Sequence, residues 1–327
     1  VKRPKTQNTS QLLQSIKNIN TILKDEGRPQ ETHVLLQNNW AIAHNGVLGI
    51  GEKIVEDLNI CPNAKILEQA LSKCGQQFSI TQLDTQLYVK SGKFQAKVPC
   101  MPAESLARSF PDSPCALISD KLRASIAAVA PLALEGQDSL VTASLLIKDG
   151  TIVATDRKVI IQHFHGINLP TVAIPKAIIS PLIKNTKPLT QFGFSKSSCT
   201  FYFEDESWLK SQFYADQWPD INMILNRAHN AVTLPEGFYE AVKALEPFSD
   251  DGFVYFDTNK MLSHPSEEKG ASFEVYGLPS GPAFNIKQLK MIEPYAKKVD
   301  FLAEGNHGSK QLMFFSEFCR GAIAGRV

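Results

Sequence analysis

The stretch TIVATDRKVIIQHFHG, residues 151–166, holds the densest set of side chains that could do chemistry. Thr155 and Asp156 could pair as hydroxyl and base, Arg157 and Lys158 could grip a phosphate, and His163 and His165 could begin a metal site. Two residues apart on a strand, both imidazoles would point to one face. No cysteine or carboxylate pair stands nearby to complete a donor set, so a histidine pair at a surface or turn is the expectation. The acidic run FEDESW from Phe203 could hold Mg²⁺; an exposed hairpin tip is the expected role. GVLGIGEK from Gly46 lacks the Gly-Lys-Ser/Thr ending of a phosphate loop and reads as a glycine-rich strand turn. Neither a G-x-S-x-G elbow nor an H-E-x-x-H zinc motif occurs.

These side chains must be positioned by regular elements, and the elements repeat. Six segments read as short helices: SQLLQSIKNINTILKD, PNAKILEQALSKCG, ISDKLRASIAAVA, PKAIISPLIKNTK, EGFYEAVKALE and NIKQLKMIEPYAKK. In the first, Leu12, Leu13, Ile16, Ile19 and Ile22 recur at three- and four-residue spacing. Pro62 and Pro175 suit a first helical turn, where the missing N–H costs nothing. The starts fall roughly every 50 to 60 residues, a spacing that suggests repeats. Between them lie stretches of strand type, such as HVLLQNNWAIAH, SLLIKDGTIVAT and SCTFYFEDE, rich in β-branched and aromatic residues. The plan is α+β, a helix followed by a few antiparallel strands, used six times. WAIAHNGVLGIGE at Trp40 echoes TIVATDRKVIIQH at Thr151, with VYFDTNKMLSH at Val254 as a third copy. A catalytic pair need not recur in this way, so the echo makes Thr155-Asp156 part of a turn.

The 327 residues suggest two or three domains, and a hydrophobic content of 43% with 20% charged residues fits a globular protein in water. None of the six cysteines forms a C-x-x-C pair, which argues against a zinc ribbon and for reduced thiols in a cytoplasm. VKRPKTQNTSQ lacks the apolar core of a secretory signal, and ASIAAVAPLALE is too short to cross a bilayer and is broken by Pro131. The net charge is only +1, yet the six helical segments carry 14 basic and 8 acidic residues, leaving the remainder at −5. If those helices share a face, that face could hold a phosphate backbone without reading bases.

The ordered set of segments resembles the β subunit of bacterial DNA polymerase III, the sliding clamp. GTIVATDRKVII is similar to the family's strand, Thr-Asp turn and following strand, and VAIPKAIISPLI to the helix after it. FYADQWPDINMIL resembles the segment closing the family's second domain. LYVKSGKFQAKVPCMPAESLARSFPD resembles the end of its first domain, and LPEGFYEAVKAL the start of its third. Two features depart from the pattern. The family's Gly-His-Arg after Thr-Asp is here Arg157-Lys158, and the tail reads IAGRV. The chain thus resembles a divergent member, of bacterial or phage origin.

The resemblance implies a DNA clamp fold of three similar domains, 1–113, 114–229 and 230–327, with helices on the inner face of a ring and sheets outside. It implies a processivity factor with no enzymatic activity, cofactor, metal or membrane. It would encircle duplex DNA as a homodimer and tether a DNA polymerase and a clamp loader through short peptides, in a bacterial or host cytoplasm. The lysines and arginine expected to face DNA are Lys17, Lys24, Lys65, Lys73, Lys121, Arg123 and Lys176. With them go Lys184, Lys187, Lys243, Lys287, Lys290, Lys297 and Lys298. Matching motif positions for the partner-peptide cleft gives Thr155, Arg157, Lys158, Val159 and Ile160, then Pro219, Met223 and Ile224, then Ile323, Arg326 and Val327. The ring seam falls to Phe94, Ala96, Ala244 and Leu245. The alternative from the residues themselves is a metal-dependent nuclease or phosphoesterase using Asp156 and Asp205.

Overall fold

The computed structural model describes residues 7–326 apart from Asp84, 136–138, Leu140, 215–217, Ala228, Glu267 and 305–309. Its helices are α1 (Thr9–Asn20), α2 (Pro29–Thr32), α3 (Ala64–Ser72), α4 (Asp120–Glu135), α5 (Ile179–Lys184), α6 (Asn222–Leu225), α7 (Phe238–Leu245) and α8 (Ile286–Ile292). The chain forms two compact units, one from residues 1–124 and 177–215, the other from 125–176 and 216–327. The expected middle third is therefore shared out, its strands from Ser144 to Pro175 with the second unit, and Pro114–Leu117 and those from Leu189 to Gln212 with the first.

One antiparallel sheet of twelve strands builds the first unit. From edge to edge it runs Gln7–Asn8, Gln77–Leu83, Gln86–Ser91, Phe94–Pro102, Asn59–Pro62, Leu35–Gln37, Trp40–His44, Leu48–Lys53, Trp208–Gln212, Ser198–Phe203, Leu189–Phe194, Pro114–Leu117. Trp40–His44 alternates partly buried and buried positions, as a strand with two different faces should. Leu12, Ile16 and Ile19 of α1 are 1% exposed or less, and α1 packs against α3 and the sheet. Burial of that kind contributes about 1.5–3 kcal/mol per side chain.

The expected proline starts shift by a few residues. Pro62 and Pro175 each close a strand instead. The cap of α3 is Asn63, whose side chain accepts the Ile66 amide at 3.0 Å. After Pro175 comes a 3₁₀ turn, Lys176–Ile178, so α5 is only six residues long. Pro131 does not end its helix; α4 runs on to Glu135.

The second unit has an eight-stranded antiparallel sheet, in the order Val172–Pro175, Ser144–Lys148, Thr151–Thr155, Val159–Phe164, Cys319–Ala324, Lys310–Phe315, Lys298–Glu304, Val232–Thr233. A four-stranded sheet, Ser272–Glu274, Lys260–Leu262, Phe253–Asp257, Ala283–Asn285, completes it. Phe238 of α7 stacks on Phe301 at 5.5 Å, and Phe256 meets Phe301 edge-on at 5.3 Å and Phe284 at 5.4 Å. These rings tie α7 to both sheets.

The repeat is visible in the turns. Asn45 Oδ1 accepts the amides of Val47 and Leu48, and Asp156 Oδ1 those of Lys158 and Val159. In both, the turn residue's own amide donates to the carbonyl three positions on, and Ser195 and Ser316 repeat that bond. The third copy differs: Asp257 accepts the adjacent Thr258 amide, and the turn is shorter.

Candidate partner cleft and helix lysines

Face assignments in the second unit follow from register. Ile160 stands opposite Ala322, and Ala322 opposite Met313. With Leu146, Val153 and Ala303 they form an apolar floor, over which Ile221 and Leu225 are buried and Trp218, Ile224 and Phe315 pack. Trp218 Nε1 donates to Ser144 Oγ at 2.9 Å, fixing the indole. A polar border follows the floor. Arg320 Nε donates to Gln162 Oε1 at 2.6 Å and its Nη1 to Asn226 Oδ1 at 3.0 Å, while Arg227 reaches Gln311 at 3.2 Å.

The residues expected to line this cleft divide. Ile160 and Ile224 meet on the apolar face. Val159 and Ile323 face each other across the strands but, one position out of phase, point to the opposite side, where both are fully buried. Thr155 Oγ1 donates to the Val159 carbonyl at 2.6 Å and accepts the Arg157 amide at 3.0 Å. Arg157, at φ +76°, and Lys158 are exposed at the turn. Pro219 is exposed and Met223 is 73% exposed. Arg326 binds Asp251, meets Tyr255 Oη at 2.7 Å and lies 5.0 Å from the Phe253 ring. Val327 lies outside the described residues.

Many of the helix cations are paired. Lys24 meets Glu31 and Lys65 meets Asp25, each at 2.5 Å. Lys243 meets Glu293 at 2.6 Å and Lys290 meets Glu246 at 2.8 Å. Arg123 pairs with Asp120 at 2.9 Å and donates to the Lys187 carbonyl. Lys187 reaches Glu52 at 2.5 Å and Asp205 at 2.7 Å. Burial pushes the Glu52 carboxyl up, against the pull of Lys187 and Asn18. Lys176 and Lys287 take part in further interactions. Among the described residues Lys17, Lys73, Lys121, Lys184, Lys297 and Lys298 are exposed and enter no ion pair.

At the expected seam, Phe94 and Ala96 are partly buried on the leading half of Phe94–Pro102. Gln86–Ser91 covers one edge of that half; Asn59–Pro62 pairs only with Cys100–Pro102, so the other edge has no strand partner among the described residues. Ala244 is exposed, whereas Leu245 is buried inside its own unit because it lies on the packed face of α7.

His163 is partly buried, and His165, just past the end of Val159–Phe164, is buried. His163 Nδ1 lies 2.9 Å from Ser125 Oγ with Tyr295 edge-on, and His165 is 7% exposed. Burial lowers both imidazoles below their usual range. Asp205 is bonded to Ser207 and Lys187, and Asp156 to its own turn. Among the described residues no three His, Cys, Asp or Glu side chains cluster as a metal site would require, and no helix is long and apolar enough to cross a membrane.

No protein-family model matches the chain, and neither does any curated protein. Solved structures do. The β subunit of Pseudomonas aeruginosa DNA polymerase III is similar at a TM-score of 0.79 and 15% identity, over 98% of this chain and 99% of that one. The Helicobacter pylori β clamp bound to a DNA ligase peptide gives 0.78 and 16%, over 98% and 99%. The Bartonella birtlesii sliding clamp bound to griselimycin gives 0.78 and 15%, again over 98% and 99%. The chain has the sliding-clamp fold.

Motif matching within the clamp fold missed most of the apolar floor: Leu146, Val153, Ala303, Met313 and Ala322, and Trp218 above it. Strict alternation along Val159–Phe164 and Cys319–Ala324 was the available signal, since it separates Ile160 from Val159 and Ala322 from Ile323.

Proposed function

We propose that the protein is a DNA sliding clamp, a non-enzymatic processivity factor that encircles duplex DNA and tethers replication proteins. The likeness to clamps over nearly the full length of both chains carries this reading. On it the chain comprises three domains, 1–113, 114–229 and 230–327, and two copies close the ring in a bacterial or host cytoplasm. Exposed Lys17, Lys73, Lys121, Lys184, Lys297 and Lys298 supply sequence-independent phosphate attraction. A topological link needs no tight base contact, so weak attraction suffices.

The partner site is the apolar face of Ile160, Met313 and Ala322 beneath Trp218 and Ile224. It suits aliphatic or aromatic side chains of a short peptide from a polymerase or loader; the H. pylori clamp was solved bound to a DNA ligase peptide. The unpaired edge of Phe94–Val98 suits strand addition against the neighbourhood of Ala244 in a second copy. The test is retention on nicked circular DNA. The bound protein should be released when the circle is linearised; equal retention on linear DNA refutes the clamp.

A further inference from the structure

In the first unit, the sheet face that matches the partner face of the second is left open. Leu48–Lys53 pairs with Trp208–Gln212 as Val159–Phe164 pairs with Cys319–Ala324. Where the latter carries Ile160 and Gln162, the former has Gly49 and Gly51. A Cβ on Gly51 would lie 2.3 Å from the Trp208 ring, and one on Gly49 would lie 2.7 Å from Ser109 Oγ. The glycines thus seat the indole and the segment crossing it. That segment is pinned by Asp112, which accepts from Ser198 at 2.8 Å, Thr200 at 3.0 Å and Lys210 at 3.0 Å.

The matching segment of the second unit buries Ile221 and Leu225 to 4% and 1% exposure. Here Phe110 stays 64% and Leu117 77% exposed. They border a groove of about 710 Å³ with Leu35, Trp40, Ile42 and Trp208. That volume is in the range of ligand sites.

We propose that this groove binds an extended peptide segment of a partner protein, with bulky apolar anchors, one acidic and one basic side chain. Its shape argues for a linear occupant. The lining strands, from Leu35–Gln37 to Pro114–Leu117, span seven neighbouring sheet positions. Six spacings make roughly 29 Å, the reach of about nine extended residues. Its charges argue for the two ionic side chains. Exposed Arg108 and Glu204 both line the groove and enter no ion pair among the described residues, while Glu206 is paired with Lys53.

The test selects random nine-residue peptides displayed on phage against the full chain. Binding is then measured by fluorescence in the Trp218→Phe chain, where Trp40 and Trp208 are the remaining tryptophans. Enriched peptides should carry apolar anchors with both charges and shift that fluorescence saturably. Phe110→Asp and Leu117→Asp, both at exposed positions, should each weaken binding at least tenfold, and Arg108→Glu should reverse the preference for an acidic residue. No enrichment, or binders changed less than twofold by the paired Asp substitutions, overturns the proposal. So does indole producing the same shift while no peptide binds. The readout uses neither DNA nor a polymerase, so its failure is distinct from failure of the clamp reading.

Discussion

Lys187 Nζ lies 2.5 Å from Glu52 Oε2, and the Glu52 side chain is 2% exposed. The lysine also donates to Asp205 at 2.7 Å and to Ser207 Oγ at 3.1 Å, and Asn18 donates to the other Glu52 oxygen at 3.0 Å. A cation held this way neutralises a buried carboxylate instead of projecting into solvent. Lys187→Met leaves that charge unmatched and should cost about 3 kcal/mol of stability, as truncating one partner of a buried pair does. Lys184→Ala, three residues earlier and exposed, should stay within about 0.5 kcal/mol. Urea unfolding of the two variants separates them.

Replacing Lys17, Lys73 and Lys184 together by alanine should weaken DNA binding without regard to sequence. The slope of log K against log salt should flatten by about 2.7, or about 0.9 for each phosphate that is no longer neutralised. An unchanged slope, read from titrations between low and physiological salt, removes these lysines from the DNA surface.

Acid should act through two separate windows. His163 and His165 are held neutral by burial, so their folded pKa values lie below the ordinary 6.5. The unfolded chain then takes up protons first, and stability present above pH 6.5 is lost as pH falls toward the folded values. His163→Gln should flatten the dependence of the urea midpoint between pH 7 and 5.

Asp112 behaves in the opposite chemical sense. Burial alone would raise its carboxyl, but hydrogen bonds from Lys210, Ser198 and Thr200 bring it below the ordinary 3.8. Its contribution is complete above that value and disappears as pH falls through the lower folded one. Asp112→Ala should cost about 3 kcal/mol at pH 7, because Lys210 loses its partner. The difference from the unaltered chain should shrink in the most acidic unfolding curves.

Much of this was legible in the sequence, for local reasons. The Asn45 and Asp156 turns need only a side-chain acceptor and two following amides, so the echo between WAIAHNGVLGIGE and TIVATDRKVIIQH survives as matching hydrogen bonds. The cap at Asn63 was equally local, yet Pro62 drew the helix start too early. What stayed hidden depends on distant partners. Nothing near Lys187 in sequence announces Glu52, and nothing in GVLGIGEK announces the Trp208 ring that Gly51 accommodates. The split of Ile160 from Val159 was encoded by alternation, but motif alignment matched positions rather than faces.

The ladder between Leu48–Lys53 and Trp208–Gln212 joins codons far apart in the gene. A recombination event anywhere between them would hand one half of a hydrogen-bonded ladder to a different lineage. Exchange at any point between residues 53 and 208 would pair a strand with a stranger, even though the turns on either side look interchangeable.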